Sequence, residues 1–243
     1  MNFPLALYNR QRPSRFLSAA SPFIAVLLTL LIGCLIFAGM GKDPMHSMYV
    51  FIVEPLLTLR GWGELGVKMT PLILCALGLL VCYRANVWNI GAEGQLIVGA
   101  LAGGVVALQA SPEASQLYMI WVILAAMVGG ALYAGIVAWL KDKCNANEIL
   151  VSLMLVYIAE LFLSWAVQSP LRDPQGLGFP QSPMFETAAT LPIMIPGTRM
   201  HWGGALVCFA LFGIWLIMSK MFIGFQVRVS GMAPKAAAYA GFS

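Results

Sequence analysis

The sequence predicts an all-α protein that crosses a membrane about six times. Three observations carry that expectation. Sixty per cent of the 243 residues are apolar and only 10% are charged, against about a quarter charged in an ordinary soluble domain. The mean hydropathy is +0.83 over the whole length, which excludes a soluble protein held by a single anchor. Six windows, 18–40, 65–83, 87–109, 117–140, 148–168 and 202–222, come close to or exceed the roughly 20 residues that a helix needs to cross about 30 Å of hydrocarbon.

The first window follows Arg10, Arg12 and Arg15 and is read as an uncleaved span. Its apolar run is too long for a secretory signal, and no small-x-small cleavage site follows it. The stretch 45–58 is apolar but short and is interrupted by Glu54-Pro55, so it is expected to be an interfacial helix outside the membrane. In the second window Pro71 lies early and implies a kink or an irregular start.

The third window opens on Asn86-Val-Trp-Asn-Ile-Gly-Ala-Glu-Gly-Gln95. On a helix, Asn86, Asn89 and Glu93 share one face. Gly91 and Gly94 each lower helix propensity by about 1 kcal/mol relative to alanine and permit a broken or tightly packed span. An acidic residue at a helix centre costs about 2.5–3.5 kcal/mol on insertion scales, so such groups mark a pathway or a buried partner. Asn86, Asn89, Glu93 and Gln95 are therefore candidates for a translocation pathway or its wall. Beside this stands a second reading of Glu93, as a structural cap bonded to backbone amides of a broken helix.

Small residues recur beyond this point. Gly99 and Gly103 form a small-xxx-small pair, and Gly129, Gly130, Ala134 and Gly135 give the fourth span a small face. Close backbone approach of this kind replaces the missing hydrophobic drive between helices in lipid. Asn147 is placed to cap the fifth span and Glu148 suits its positive end. Within that span Glu160 has Tyr157 three residues before it and Ser164 four after, on one face; it is the second candidate acid of the pathway or its wall. The connection 169–201 carries Pro170, Pro174, Pro180, Pro183, Pro192 and Pro196. It cannot be continuous helix, and is expected to be an ordered outer cap or a docking surface.

Past the sixth span, 223–243 is expected to be a separate cytoplasmic segment. Pro234 suits a first helical position, the residues from Lys235 to Ala240 favour helix, and Gly241 suits the stop. A short alanine-rich helix of this kind fits a groove on another protein.

Orientation follows from the cations. With the N-terminus inside, the cytoplasmic segments hold Arg10, Arg12, Arg15, Arg84, Lys141, Lys143, Lys220, Arg228 and Lys235, and the outer ones hold Lys42, Arg60, Lys68, Arg172 and Arg199. That asymmetry is the positive-inside pattern. Trp62, Trp121, Trp165 and Trp202 then fall at outer span ends, with Trp88 and Trp139 at inner ends, as aromatic belts require. The net charge of +4 is a topology signal and gives no reason to expect nucleic acid. Cys34, Cys75, Cys82, Cys144 and Cys208 show no metal or redox spacing. His46 and His201 lie far apart, and no nucleophile–base spacing is visible, so neither a catalytic nor a metal site is expected.

Asn89-Ile-Gly-Ala-Glu-Gly-Gln95 resembles the signature of permease subunits of bacterial ABC importers, in the group serving branched-chain amino acids, ribose-like sugars and nucleosides. Thr70-Pro-Leu-Ile-Leu74, Asn147-Glu-Ile-Leu-Val-Ser-Leu-Met154 and the run Arg172 to Pro183 resemble further motifs of its nucleoside and simple-sugar branch. The last segment is similar to that family's coupling loop, with Gly231, Pro234, Ala236, Ala237, Tyr239 and Gly241 in register. It departs at Ala233, where asparagine usually precedes the proline and supplies a helix cap.

The resemblance covers the chain from about residue 45 onward. It implies one transmembrane permease domain over 1–243, incomplete at its C-terminus because family members continue with more spans. It implies a bacterial inner-membrane location and a pathway for nucleosides or simple sugars. Its partners would be a cytoplasmic ATP-binding subunit, a second permease subunit (homo- or heterodimer) and an extracytoplasmic solute-binding protein, all in a lipid bilayer. ATP and Mg would belong to the partner ATPase, because this chain has no phosphate-binding loop of the Gly-x-x-x-x-Gly-Lys-Ser/Thr type and is not expected to be an enzyme. Arg228, Gly231, Pro234, Ala237, Tyr239 and Gly241 would couple to that ATPase. The competing reading is an ion- or proton-coupled secondary transporter, which explains Glu93 and Glu160 but leaves the coupling-like segment without a role.

Overall fold

A computed structural model describes residues 15–242. Arg10 and Arg12, two of the cations in the orientation argument, lie outside the described residues. The described chain is helical, and its one extended pairing is an isolated bridge between Ile193 and His201. It divides into two compact units, the first ending at Trp62 and the second beginning at Gly63.

The first unit holds α1 (Arg15–Gly39), α2 (Pro44–Met48), a π-helical turn (Tyr49–Val53) and α3 (Glu54–Leu57). Asp43 starts α2 by accepting from the Met45 and His46 amides at 2.9 and 3.3 Å, the usual remedy for orphan donors at a helix start. The stretch expected to be an interfacial helix is therefore helical. Glu54-Pro55 falls at the start of α3, directly after the π turn, where proline needs no amide partner. Thr58 then turns extended and caps the next helix, α4 (Leu59–Arg84), accepting from the Gly61 amide at 3.0 Å.

α4 begins six residues before the window expected for it and remains helical through Pro71, so the irregular start is not found. The hydroxyl of Thr70 donates to the Gly66 carbonyl at 2.8 Å in the turn before the proline. That side-chain bond is one of the local adjustments that let a proline stay inside a membrane helix.

The second unit continues with α5 (Ala92–Ala107), α6 (Tyr118–Cys144), α7 (Glu148–Gln168), α8 (Gly203–Lys220), α9 (Phe222–Met232) and α10 (Pro234–Tyr239). Helices α4, α6, α7 and α8, together with Ala19–Gly39 of α1, are long and apolar enough to cross a membrane. α5 has only 16 residues and spans about 24 Å, which is the broken, glycine-rich third span expected from the sequence. Together these make a polytopic helical membrane protein. Much of the helix surface is apolar and exposed, as at Leu132, Leu161 and Phe209, and suits lipid.

α5 lies against both α6 and α7. Gly99 and Gly103 face the α6 backbone: a Cβ on Gly99 would stand 2.9 Å from the Ala126 carbonyl, and one on Gly103 3.2 Å from that of Val122. Two tyrosines tie the three helices together, Tyr118 donating to the Val106 carbonyl at 3.0 Å and Tyr133 to that of Leu155 at 2.7 Å. At the end of α5, Ala107, Ala110 and Ala189 form a small core with Tyr118 and Val122 packed on it.

The connection after α7 is ordered. Asp173 organises its first half, accepting from the Gln175 amide at 2.9 Å, while its own amide donates to the Gln181 carbonyl at 2.8 Å. Its second half is a narrow hairpin closed by the Ile193–His201 bridge. The tip residue Thr198 is buried against Gly63, where a Cβ would come within 2.6 Å of it, and Met200 packs at Gly66.

Candidate functional site

The polar segment between α4 and α5 is not helical. Asn86 takes a left-handed conformation, φ 55°. Its amide donates to the Tyr83 carbonyl at 3.1 Å, and the Val87 amide donates to that of Cys82 at 2.9 Å. This pair of bonds is a Schellman stop with asparagine in the place usually held by glycine. The expected face shared by Asn86, Asn89 and Glu93 does not exist, because the helix that would define it starts only at Ala92. Asn86 closes α4 and has no position on the third span.

Asn89 carries the segment. It is buried, 8% exposed, and its side-chain oxygen accepts from the Gly91 amide at 2.9 Å. The same oxygen accepts from Gln95 Nε2 at 3.3 Å, while Asn89 Nδ2 donates to Gln95 Oε1 at 3.2 Å. The two side-chain amides thus form a closed pair that bridges the start of α5. Ser152 of α7 completes the support: fully buried, it accepts from the Ile90 amide at 3.1 Å and donates to the Ile149 carbonyl at the same distance. Backbone outside a helix is tolerated at membrane depth only where such partners satisfy it.

Glycine brings these groups into reach. A Cβ on Gly91 would meet Ser152 Cβ at 3.0 Å, and one on Gly94 would meet Val156 Cα at 3.0 Å. The start of α5 thus presses against Ser152, Val156 and Ala159, which are all buried. The sequence reading missed Ser152. Its signal was present, as the first hydroxyl in an otherwise apolar run after the helix cap.

Asn89 and Gln95 also line a cavity of 580 Å³ between α4, α5 and α6, whose other walls include Cys75, Gly78, Met127 and Gly130. A pair of amides on an otherwise apolar wall offers donors and acceptors without charge. Glu93 is not among the lining residues. It sits exposed in the first turn of α5, and Glu160 is exposed in α7; neither has a hydrogen bond or ion pair among the described residues. Glu93 therefore caps no neighbouring helix among them.

The α6–α7 turn follows the sequence reading. Asn145 ends α6 in the left-handed region, and Asn147 accepts from the Ile149 and Leu150 amides at 3.0 and 3.4 Å. Glu148 then pairs with Lys141 at 2.6 Å, both partly buried, pinning the end of α6 to the start of α7.

The C-terminal segment has its own architecture. Gly224 lets α9 lie directly on Ile217 and Met218 of α8, and Gly231 lets it lie on the Arg84 carbonyl at the end of α4; a Cβ at either position would overlap that backbone. Ala233 leads into α10 with no side-chain cap, as its departure from asparagine implied. Pro234 opens the helix and Gly241, φ 76°, follows its end. The Gly241 amide donates to Ala238 at 3.1 Å and the Phe242 amide to Ala237 at 2.9 Å, a second Schellman stop. Phe242 then packs edge-on against Phe222 and Phe225 of α9. Within α10 Ala237 is buried at 2% exposure, whereas Tyr239 is 96% exposed. Of the two, Tyr239 alone is free to touch a partner; Ala237 is packed inside its own chain.

A family model described as the permease component of branched-chain amino acid transport systems matches residues 63–243, the span of the second compact unit. The chain is 37% identical over its full length to the glucose ABC transporter permease protein TsgB13 of Haloferax volcanii, covering 66% of that protein. It is 27% identical to the nucleoside ABC transporter permease protein NupB of Lactococcus lactis, over 91% of this chain and 63% of the relative. With the guanosine ABC transporter permease protein NupP of Bacillus subtilis it shares 29% identity, over 91% and 64%. The chain thus spans just under two thirds of the length of these relatives. No solved structure matches it.

Proposed function

This chain belongs to the permease component family of branched-chain amino acid transport systems, and from that premise we propose that it is the membrane-spanning subunit of an ATP-driven importer for nucleosides or simple sugars. The names of its relatives, a glucose permease and nucleoside permeases, support that substrate class. The observation that carries the reading is the Asn89–Gln95 amide pair on the wall of the 580 Å³ cavity. Neutral hydroxylated cargo needs a few uncharged hydrogen-bonding groups on an apolar wall, and this wall offers them.

In this reading Asn89 and Gln95 contact the pathway directly. Glu93 and Glu160, exposed and unpaired among the described residues, belong to its wall and meet pathway water or a neighbouring element. The N-terminus is cytoplasmic, which puts α9, α10 and the α6–α7 turn inside and the cap after α7 outside. A cytoplasmic ATP-binding subunit docks at α10, where Tyr239 projects; ATP and Mg are bound there and not by this chain. A second permease subunit and an extracytoplasmic solute-binding protein complete the assembly in the cell membrane.

Reconstituting the full-length permease with its ATPase and binding protein tests the reading. Labelled glucose or guanosine should accumulate in vesicles only with ATP. Accumulation driven by an ion gradient with no ATPase present would replace it with the secondary-transporter reading. The orientation is tested apart: in a cysteine-free background, Asp142→Cys and Gln175→Cys should be labelled from opposite sides by an impermeant thiol reagent. Labelling of both from one side defeats the topology.

A further inference from the structure

We propose that Arg84 and Arg228 hold the phosphate of an anionic phospholipid of the cytoplasmic leaflet, with an acyl chain in the cavity beside them. This rests on the orientation proposed above. The cavity measures 340 Å³ and lies between α4, α8 and α9. Leu77, Leu80, Leu211 and Ile214 give it apolar walls, while Arg84, Arg228, the Ser219 hydroxyl and the Trp215 indole N–H are its hydrogen-bonding groups.

The two arginines are brought together by the fold. Gly231 seats α9 on the Arg84 carbonyl with no room for a Cβ, and Arg228 lies three residues earlier, on the same face of α9. Arg84 is exposed and Arg228 partly buried, and two like charges on one cavity repel each other. Yet no carboxylate lines the cavity, and neither arginine has an ion pair or a side-chain hydrogen bond among the described residues.

Two simpler accounts fall short. Arg84 in the last turn of α4 suits the negative end of that helix, but Arg228 sits in the body of α9 and gains nothing there. The positive-inside rule asks for cations on this side of the membrane, not for two on one cavity. A phosphate satisfies both guanidinium groups at once, since their forked donors match its oxygens. The apolar walls favour a phosphate that comes with a hydrocarbon chain, and basic pockets between membrane helices on the cytoplasmic side are known lipid sites.

Native mass spectrometry of the full-length protein in detergent, titrated with phosphatidylglycerol and with phosphatidylcholine, tests this. One phosphatidylglycerol should bind in preference to phosphatidylcholine. Replacing both arginines, Arg84→Gln with Arg228→Gln, should weaken it roughly tenfold or more. Lys235→Gln, an exposed cation on α10, should leave it unchanged.

Equal retention by the folded double variant overturns the proposal. So does equal weakening by Lys235→Gln, which would mean unspecific surface charge. Displacement by inorganic phosphate would make the ligand a free anion and not a lipid. If the double variant fails to fold, the wild-type protein decides, because no preference for phosphatidylglycerol means that another counter-ion, such as a carboxylate elsewhere in the assembly, fills the site. Selective binding combined with inverted thiol labelling would keep the site and defeat the orientation; loss of selectivity with normal labelling would defeat the site alone.

Discussion

Asn89 and Gln95 exchange two hydrogen bonds, at 3.2 and 3.3 Å, across the first turn of α5. The pair is not symmetrical in what it supports, because the Asn89 oxygen also accepts from the Gly91 amide. Asn89→Ala should therefore orphan a backbone donor as well as Gln95, at a cost of about 1–3 kcal/mol. Gln95→Ala leaves the Gly91 amide bonded and should cost less. Thermal unfolding of the full-length protein in detergent would order the two, and equal losses would mean that the pair does not organise the segment.

A second expectation separates two glycines on the same helix. Gly99→Ala places a methyl group 2.9 Å from the Ala126 carbonyl, whereas Gly104→Ala meets only Phe185 at 3.7 Å. Overpacking against a fixed backbone costs about 1–3 kcal/mol, while alanine in an open helical position gains up to about 1 kcal/mol in propensity. Gly99→Ala should lower the unfolding temperature and Gly104→Ala should hold or raise it. The reverse order would refute the α5–α6 contact.

On α10 the two residues singled out by the sequence should now behave differently. Tyr239 is almost wholly exposed, and aromatic anchors of this kind dominate binding interfaces. Tyr239→Ala should leave the unfolding temperature unchanged and reduce co-purification of the ATPase or uncouple ATP hydrolysis from uptake. Ala237→Glu instead buries an unpaired charge within the chain and should destabilise the segment even without the partner. Wild-type ATPase association in a folded Tyr239→Ala protein would remove α10 as the coupling element.

Composition and window length were enough to read the helices, because lipid imposes a length and a polarity on whatever crosses it. Caps were legible too: Asn147, Pro234 and Gly241 each have a local reason for their place. The Asn86–Gly91 segment was not, because its conformation depends on Ser152, which lies on another helix and sends no periodic signal. A helical reading of Asn86, Asn89 and Glu93 was the local answer, and a left-handed asparagine defeated it. Ala237 misled for a related reason. A small residue on a short helix looks alike from sequence whether it faces a partner or the chain's own interior.

The hydrogen bond from the Ile90 amide to Ser152 Oγ joins residues 62 apart in the sequence, and it bears on how the protein is made. When α5 leaves the ribosome, Ser152 has not yet been synthesised, so the turn ahead of α5 lacks one of its partners. α5 is also short for the hydrocarbon it must enter, with glycines where it meets its neighbours. The seat of α5 is built from α6 and α7, so these three helices are expected to settle as a group once α7 emerges. Ser152→Ala should accordingly appear first as a shortage of inserted protein, before any defect in the protein that does insert.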